Sequence, residues 1–423
     1  MKDSSQALPA RIDLAIVGAG PQALTLTTHL LQKRSKLRQK FIVFDPSGTW
    51  MSQWRHQFAA QKIPHLRSPA VHHPDPNPHA LRRFAENRRD ELFPPYDLPG
   101  TKLFEEFCVE VIHRWELENR VYPGKISQIL PIKHRLRPHF RLVLADGQSL
   151  IARRVVLATG GNVPQFPGWV ERLTDSYPRD RLCHSQQVDL CSLHLSEERI
   201  LIVGGGLTAG HLAVGAIAQG ATVMLLSRRH LQEKLFDAEP GWLGPKYLKG
   251  FAAETDWHVR WKLIQQARNG GSMTPAMMVR LRRLAREGKL VFNERCEVVE
   301  AAWQSDRWQV RCADGELHEW DPALRMLPHL EEICFADRIW LATGTILDAK
   351  QHPLLRDVLA TYPTEIVRGL PVLDEYLRLP GSEFFVMGGL AALQVGPVAR
   401  NLAGGRKASE LIVPALTKPS LAF

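Results

Sequence analysis

The 423-residue chain is long enough for two or three domains, each with its own buried core. Its 44% hydrophobic and 23% charged residues are ordinary for a folded globular protein, and no apolar run reaches membrane-spanning length. A net charge of +10 calls for anionic partners; the basic residues are dispersed and match no nucleic-acid module, which favours dinucleotides and an acidic small molecule over nucleic acid.

The N-terminal stretch carries no apolar signal segment, so we expect a cytoplasmic protein. Six cysteines, at 108, 183, 191, 296, 312 and 334, include no C-x-x-C pair. That usage excludes a disulfide framework and a zinc site, and it argues against a disulfide reductase, which needs a cysteine pair beside its flavin.

In chain order, the apolar run Asp13–Val17 reads as a strand that enters Gly18-Ala19-Gly20-Pro21-Gln22-Ala23, a GxGxxA turn opening a helix. A second strand, Phe41–Phe44, ends in Asp45. The region 54–100, rich in Pro, His and Arg, reads as loops and short helices, and 139–157 as a β-meander turning at Asp146-Gly147. Strand Val155–Leu157 runs into Ala158-Thr159-Gly160. Strand Ile200–Val203 then enters a second GxGxxA turn, Gly204-Gly205-Gly206-Leu207-Thr208-Ala209. A helix over Thr208–Gln219 and a strand over Thr222–Leu226 follow, the latter ending in Ser227-Arg228-Arg229. An inserted helical segment spans 235–290, and its basic run Arg280–Lys289 has the apolar spacing of an amphipathic helix. The region 292–320 repeats the meander style with a turn at Asp314-Gly315, and Arg338–Leu341 leads into a second Ala-Thr-Gly, Ala342-Thr343-Gly344. A strand at Phe384–Met387 and a helix from about Val398 to Ile412 close the chain.

Strands alternating with helices indicate an α/β fold. We expect two Rossmann-like dinucleotide-binding domains built on three-layer parallel sheets with β-meander insertions. In the first turn Gly18 permits the bend, Gly20 lets a pyrophosphate approach the backbone, and the helix N-terminus at Pro21 and Gln22 presents free N–H groups. Asp45 stands where a carboxylate accepts hydrogen bonds from a ribose diol, as FAD requires. In the second turn Gly204, Gly206, Leu207 and Thr208 take the same parts, but Ser227 and Arg228 replace the acid. A carboxylate would repel a 2′-phosphate and a guanidinium pairs with it, so the second cofactor is expected to be NADPH; surface arginines without a ligand are the alternative.

Prolines interrupt the histidines 65, 72, 73 and 79, so they cannot line one helix face and no metal site is expected. No nucleophile elbow supports hydrolysis. Trp257 and Trp261 read as helix packing, and Trp50 and Trp54 as either core residues or aromatics near a flavin.

These features resemble the class B flavin-dependent monooxygenases, most of all the lysine and ornithine N-hydroxylating monooxygenases. The motif D-x3-(L/F)-A-T-G-Y-x4-(H/P) of that group is matched by Asp337 through Gly344, with Thr345 in place of tyrosine and His352-Pro353 two residues late. Segment 61–67 is similar to the one whose amide sits by the flavin and whose basic residue binds the amino-acid carboxylate, which implies Arg67 at the basic position and Lys62 or Gln61 at the other, with Lys62 and Arg67 the candidate catalytic residues. Phe236 through Tyr247 is similar to the loop after the NADPH strand, with Ala238 where an asparagine is usual, and His184-Ser185 is what remains of a Baeyer–Villiger-type fingerprint. The resemblance also implies cofactor contacts at Trp54, Thr343, Gly344, Gln394, Gly396 and Pro397, with the helix beginning near Pro397 aimed at the flavin pyrimidine.

The resemblance implies a FAD-binding domain in two parts, 1–168 and 335–423, around an NADPH-binding domain, 169–334. It implies that NADPH reduces FAD, that O2 is activated as a C4a-hydroperoxyflavin, and that a small amine or amino acid is hydroxylated on nitrogen. A homo-oligomer is left open. The alternatives are an NADPH-dependent flavin reductase serving a quinone or protein partner, and a non-enzymatic flavoprotein regulator.

Overall fold

The computed structural model describes residues 7–134, 137–160, 162–173, 176–268, 270–313 and 333–418. The fold is mixed α/β, with two parallel sheets as expected. The first runs in the order Val121–Pro123, Phe41–Asp45, Arg11–Val17, Ser149–Leu157. The long strand Ser149–Leu157 is shared. Its C-terminal half pairs in parallel with Phe384–Val386, and its N-terminal half pairs antiparallel with Arg137–Leu144, which continues to Ile126–His134. This is the meander read from 139–157, and its turn lies at Gly147, with φ +88.

Leu14 to Val17 are buried at successive positions, so both faces of the strand are covered. Helices Pro21–Lys33 and Leu402–Thr417 lie together and belong to the same apolar core.

The second sheet is parallel throughout, in the order Leu182–His184, Arg338–Leu341, Arg199–Val203, Thr222–Ser227, Leu290–Glu294. Alternation along its strands divides two cores. Ile200, Ile202, Val223, Leu225 and Trp340 face Leu212, Met277 and Leu281 of helices Leu207–Ile217 and Pro275–Arg286. Leu201, Met224, Leu226, Ile339 and Leu341 face Cys296, Val298, Trp308 and Val310 of an antiparallel sheet, Glu297–Gln304, Arg307–Ala313 and Ile333–Ala336. Helices, parallel sheet and antiparallel sheet form three layers. Each fully buried aliphatic side chain at these two interfaces contributes about 1.5–3 kcal/mol, so both faces of the central strands are stabilising.

Two chain crossings link the sheets. Asn162–Pro164 and Thr345–Leu347, each following one of the Ala-Thr-Gly segments, pair antiparallel as a short ribbon. Further struts join helix Ser52–Ala60 to the second sheet. Gln61 Nε2 donates to Ser185 O at 3.0 Å, and Leu190 N–H donates to Ala60 O at 2.8 Å.

Two sequence expectations are corrected. The last helix begins at Leu402, not Val398, and ends at Thr417. Gly396 has φ +96, Pro397 to Arg400 form a turn, and Gln22 Nε2 donates to the carbonyls of Ala399 and Asn401, which keeps this turn outside the helix. The hairpin of the antiparallel sheet turns at Ser305 and Asp306, with φ +51 and +59, and Asp314-Gly315 lies outside the described residues.

The loop after Leu66 is pinned by polar contacts. Asp75, 3% exposed, accepts from Trp115 Nε1 at 3.1 Å and pairs with Arg114 at 3.0 Å, while Thr28 Oγ1 donates to Pro74 O at 2.6 Å. Burial holds His72 and His73 of this loop, and His211 of the second helical layer, down to about 4. The unfolded chain therefore binds more protons than the folded one between about pH 6.5 and 4, and stability falls as pH falls through that window. Between pH 6.5 and 5, where carboxylates stay ionised, the melting temperature should drop steadily; a constant value would overturn this reading.

Candidate dinucleotide-binding clefts

The two glycine turns are built alike, each at the carboxyl end of a central parallel strand. Gly18 N–H donates to Phe44 O and Gly204 N–H donates to Leu226 O, both at 2.8 Å. Gly18 has φ +100 and Gly204 φ +145, which disfavour any side chain. A Cβ on Gly18 would lie 2.8 Å from Ala158 O, and one on Gly204 would strike Ala342 O. Those carbonyls belong to the two Ala-Thr-Gly segments, which are tied to the strands by Ala158 N–H to Val17 O at 2.8 Å and Ala342 N–H to Val203 O at 2.9 Å. Thus each Ala-Thr-Gly forms one wall of a glycine turn.

Gly20 and Gly206 are the opposite case: a Cβ at either would meet no atom within 4 Å. Directly after them begin helices Pro21–Lys33 and Leu207–Ile217, whose first turns have no acidic side chain to satisfy the N-terminal N–H groups. An open face before a helix N-terminus fits a pyrophosphate.

The strand following each turn sets the difference. Asp45 Oδ2 accepts from Ala19 N–H at 3.1 Å, and Oδ1 accepts from Ser47 N–H at 3.0 Å and its hydroxyl at 2.6 Å, with a lone pair of Oδ2 remaining for a ribose hydroxyl. In the second site Ser227, 4% exposed, places its Oγ 2.7 Å from where a Cβ on Gly205 would lie. Arg228 beside it is exposed and has no hydrogen bond or ion pair among the described residues.

The other expected site residues scatter. Trp54 stacks on Phe58 at 4.1 Å and leans on Phe104 at 5.2 Å, and Trp50 donates to Leu117 O at 2.8 Å, so both belong to an aromatic core. Gln61 is a strut, and Lys62 is exposed with φ +50. Thr343 Oγ1 donates to Gln165 O, and Gly344 O accepts from His184 Nε2 at 3.0 Å. Asp337 of the motif accepts from Arg199 N–H at 2.7 Å, holding the start of a strand. Gln22 and Gln394 each leave a buried Oε1 without a donor. Such orphaned acceptors are what hydroxyl or imide donors of a bound flavin nucleotide would satisfy.

Arg67 is engaged elsewhere. Nε donates to Leu235 O at 2.9 Å, Nη2 to Lys234 O at 2.6 Å and Ser272 Oγ at 2.9 Å, and Nη1 to Asp237 Oδ1 at 2.6 Å and Ser272 O at 3.3 Å. All five donors are spent on protein acceptors, which leaves none for a substrate carboxylate. Asp237 Oδ2 accepts in turn from Arg268 at 3.2 Å, and Arg268 also donates to Pro397 O at 3.1 Å. Arg400 Nη2 donates to Thr345 Oγ1 at 3.3 Å. Sequence reading missed Arg268 and Arg400; they meet only through contacts between distant parts of the chain and belong to no motif.

Residues 15–162 match the family model described as FAD-NAD(P)-binding, and residues 102–251 match that of L-lysine 6-monooxygenase/L-ornithine 5-monooxygenase. Among solved structures, a cadaverine monooxygenase of the desferrioxamine pathway from Erwinia amylovora, bound to FAD, superposes with a TM-score of 0.73 at 12% identity, covering 97% of this chain and 95% of that one. Ornithine hydroxylase from Pseudomonas aeruginosa gives 0.72 at 18% identity over 96% and 98%. L-lysine 6-monooxygenase from Pseudomonas syringae gives 0.71 at 16% over 96% and 99%. The chain is similar to the class B N-hydroxylating flavin monooxygenases. A curated relative, a FAD-dependent urate hydroxylase from Xanthomonas campestris pv. campestris, is 39% identical over 84 residues, 19% of this chain and 17% of that protein's length. The expected pair of cofactors, FAD and NADPH, agrees with the matched dinucleotide-binding model and with the fold. No helix among the described residues is long and apolar enough to cross a membrane.

The glycines separate folding from binding. Gly206→Ala should leave the melting temperature unchanged and weaken NADP+ at least about tenfold, by filling the open face. Gly204→Ala should instead lower stability by more than about 2 kcal/mol, through φ strain and the clash with Ala342 O. Equal melting temperatures for the two variants would contradict this division.

Proposed function

We propose that the chain is an NADPH- and FAD-dependent monooxygenase that hydroxylates the nitrogen of a small amine or amino acid. In this reading 1–168 and 335–423 form the FAD-binding domain and 169–334 the NADPH-binding domain. The observation that carries it is the pair of open glycine turns joined by one ribbon, one backed by Asp45 and the other by Ser227 and Arg228. The match of 102–251 to the lysine and ornithine monooxygenase model supports the substrate class.

When bound, FAD supplies hydride acceptance from NADPH and activation of oxygen. The chain's own residues bind, orient and insulate. Gly18, Gly20, Pro21 and Gln22 would hold the FAD pyrophosphate and Asp45 its ribose; Gln394, Gly396 and Pro397 would border the ring. Gly204, Gly206, Leu207 and Thr208 would hold the pyrophosphate of NADPH, and Ser227 and Arg228 its 2′-phosphate. Thr343 and Gly344 would wall the second cleft, fixed by Gln165 and His184. Lys62, which has no ion pair among the described residues, is the candidate for a substrate carboxylate, whereas Arg67 holds the 234–237 loop and Ser272 in place.

Two measurements test this. NADPH-reduced protein mixed with oxygen and a panel of diamines and basic amino acids should yield a hydroxylamine in proportion to NADPH consumed. Stoichiometric hydrogen peroxide with every amine, and no hydroxylated product, would instead mark a flavin reductase. Arg228→Ala should raise the NADPH dissociation constant about ten- to a hundredfold while changing NADH little; equal losses would refute the 2′-phosphate assignment.

A further inference from the structure

Two guanidiniums, Arg67 and Arg268, pair with the single carboxylate of Asp237, and a third, Arg400, lies within electrostatic range of Arg268 and Asp237. Both carboxylate oxygens are taken, Oδ1 by Arg67 and Oδ2 by Arg268. The cluster therefore carries an excess of two positive charges, and Arg400 is its member without a carboxylate. Arg400 is exposed, yet its guanidinium is held down to about 10, first by the protein crowded around it and then by Arg268. A side chain that is wetted but surrounded by protein lines a cleft rather than an outer surface.

The position of that cleft is fixed from both sides. The backbone of the turn 397–400 is held to helix Pro21–Lys33 by Gln22, which takes Ala399 O and Asn401 O. The side chain reaches the other way, to Thr345, the residue directly after the Ala-Thr-Gly that walls Gly204. On the same flank lies Gly271, next to Ser272, where an added Cβ would stand 3.7 Å from the Cα of Gly206. Arg400 thus extends from the FAD side of the molecule to the edge of the second glycine turn.

We propose that Arg400 is a phosphate-binding residue for the second dinucleotide, contacting its pyrophosphate from across the interdomain cleft. The inference rests on the two-dinucleotide reading above. A pyrophosphate brings two negative charges to a cluster with two positive charges in excess, and a guanidinium offers it bidentate donors. One hydroxyl acceptor at 3.3 Å leaves most of those donors available. Because pyrophosphate is common to NADP+ and NAD+, Arg400 contributes affinity without discriminating between them, unlike Arg228.

The test uses FAD-loaded wild type, Arg400→Gln and Arg400→Lys, titrated with NADP+ and with NAD+ while the flavin absorbance is followed. Arg400→Gln should weaken both nucleotides by a similar factor, about tenfold or more, with flavin content and melting temperature unchanged. Arg400→Lys should recover part of the loss. Unchanged nucleotide affinity would overturn the assignment. So would a loss confined to NADP+, which would mean a 2′-phosphate contact, a loss of bound FAD, which would mean a FAD contact, or a change seen only in substrate KM. Failure of the wild type to bind either nucleotide would instead remove the proposed function itself.

Discussion

Both candidate nucleotide sites depend on one steric constraint, a strand-end carbonyl that stands where a glycine's Cβ would be. At Gly18 the carbonyl is that of Ala158, and at Gly204 it is that of Ala342. The strand before each turn and the strand before each Ala-Thr-Gly are parallel neighbours, with Val17 opposite Leu157 and Val203 opposite Leu341. Their carboxyl ends therefore arrive side by side, and a Cβ between them would push the strands apart. With glycine at each position the chain turns within three residues and starts a helix whose N-terminal N–H groups face open space. The remaining layers hold those strand ends in register.

That register is secured by burial on both faces. Strand Arg199–Val203 alternates its side chains between the helical layer and the antiparallel sheet, and no face is left to slip toward solvent. The same rigidity extends between the halves of the molecule. The ribbon of Asn162–Pro164 with Thr345–Leu347, the Gln61 strut and the Arg67 fork span the junction at separate points. A guanidinium whose five donors meet protein acceptors is a positioning device, and at a junction it holds the segments on either side at a set distance.

How much of this was legible follows from the range of each interaction. The glycine turns, Asp45 and Ser227-Arg228 could be read because strand, turn and next strand are adjacent in sequence, so spacing alone carries the geometry. The hairpin turn was read at Asp314-Gly315 because Asp-Gly is a strong turn signal, whereas Ser305 and Asp306 adopt positive φ without a glycine. The start of the last helix is read too early because Val398 and Ala399 are apolar and buried like helix residues; the carbonyls of Ala399 and Asn401 are claimed instead by Gln22, hundreds of residues away. Arg67 was picked out by a motif, but which acceptors it meets depends on the loop at 234–237 and on Ser272, and nothing local encodes that pairing.

The likeness of the two turns shifts the question of cofactor identity to their surroundings. Backbone donors before a helix do not distinguish one dinucleotide from another, since every pyrophosphate offers the same charge. Discrimination must come from side chains placed beyond the turn, and here the two sites differ in sign. Asp45 is an acceptor already bound to Ala19 and Ser47, so its carboxylate is fixed in place before any ribose arrives. Arg228 is an exposed cation without a partner among the described residues, so pairing with a phosphate would cost none of the ion pairs described.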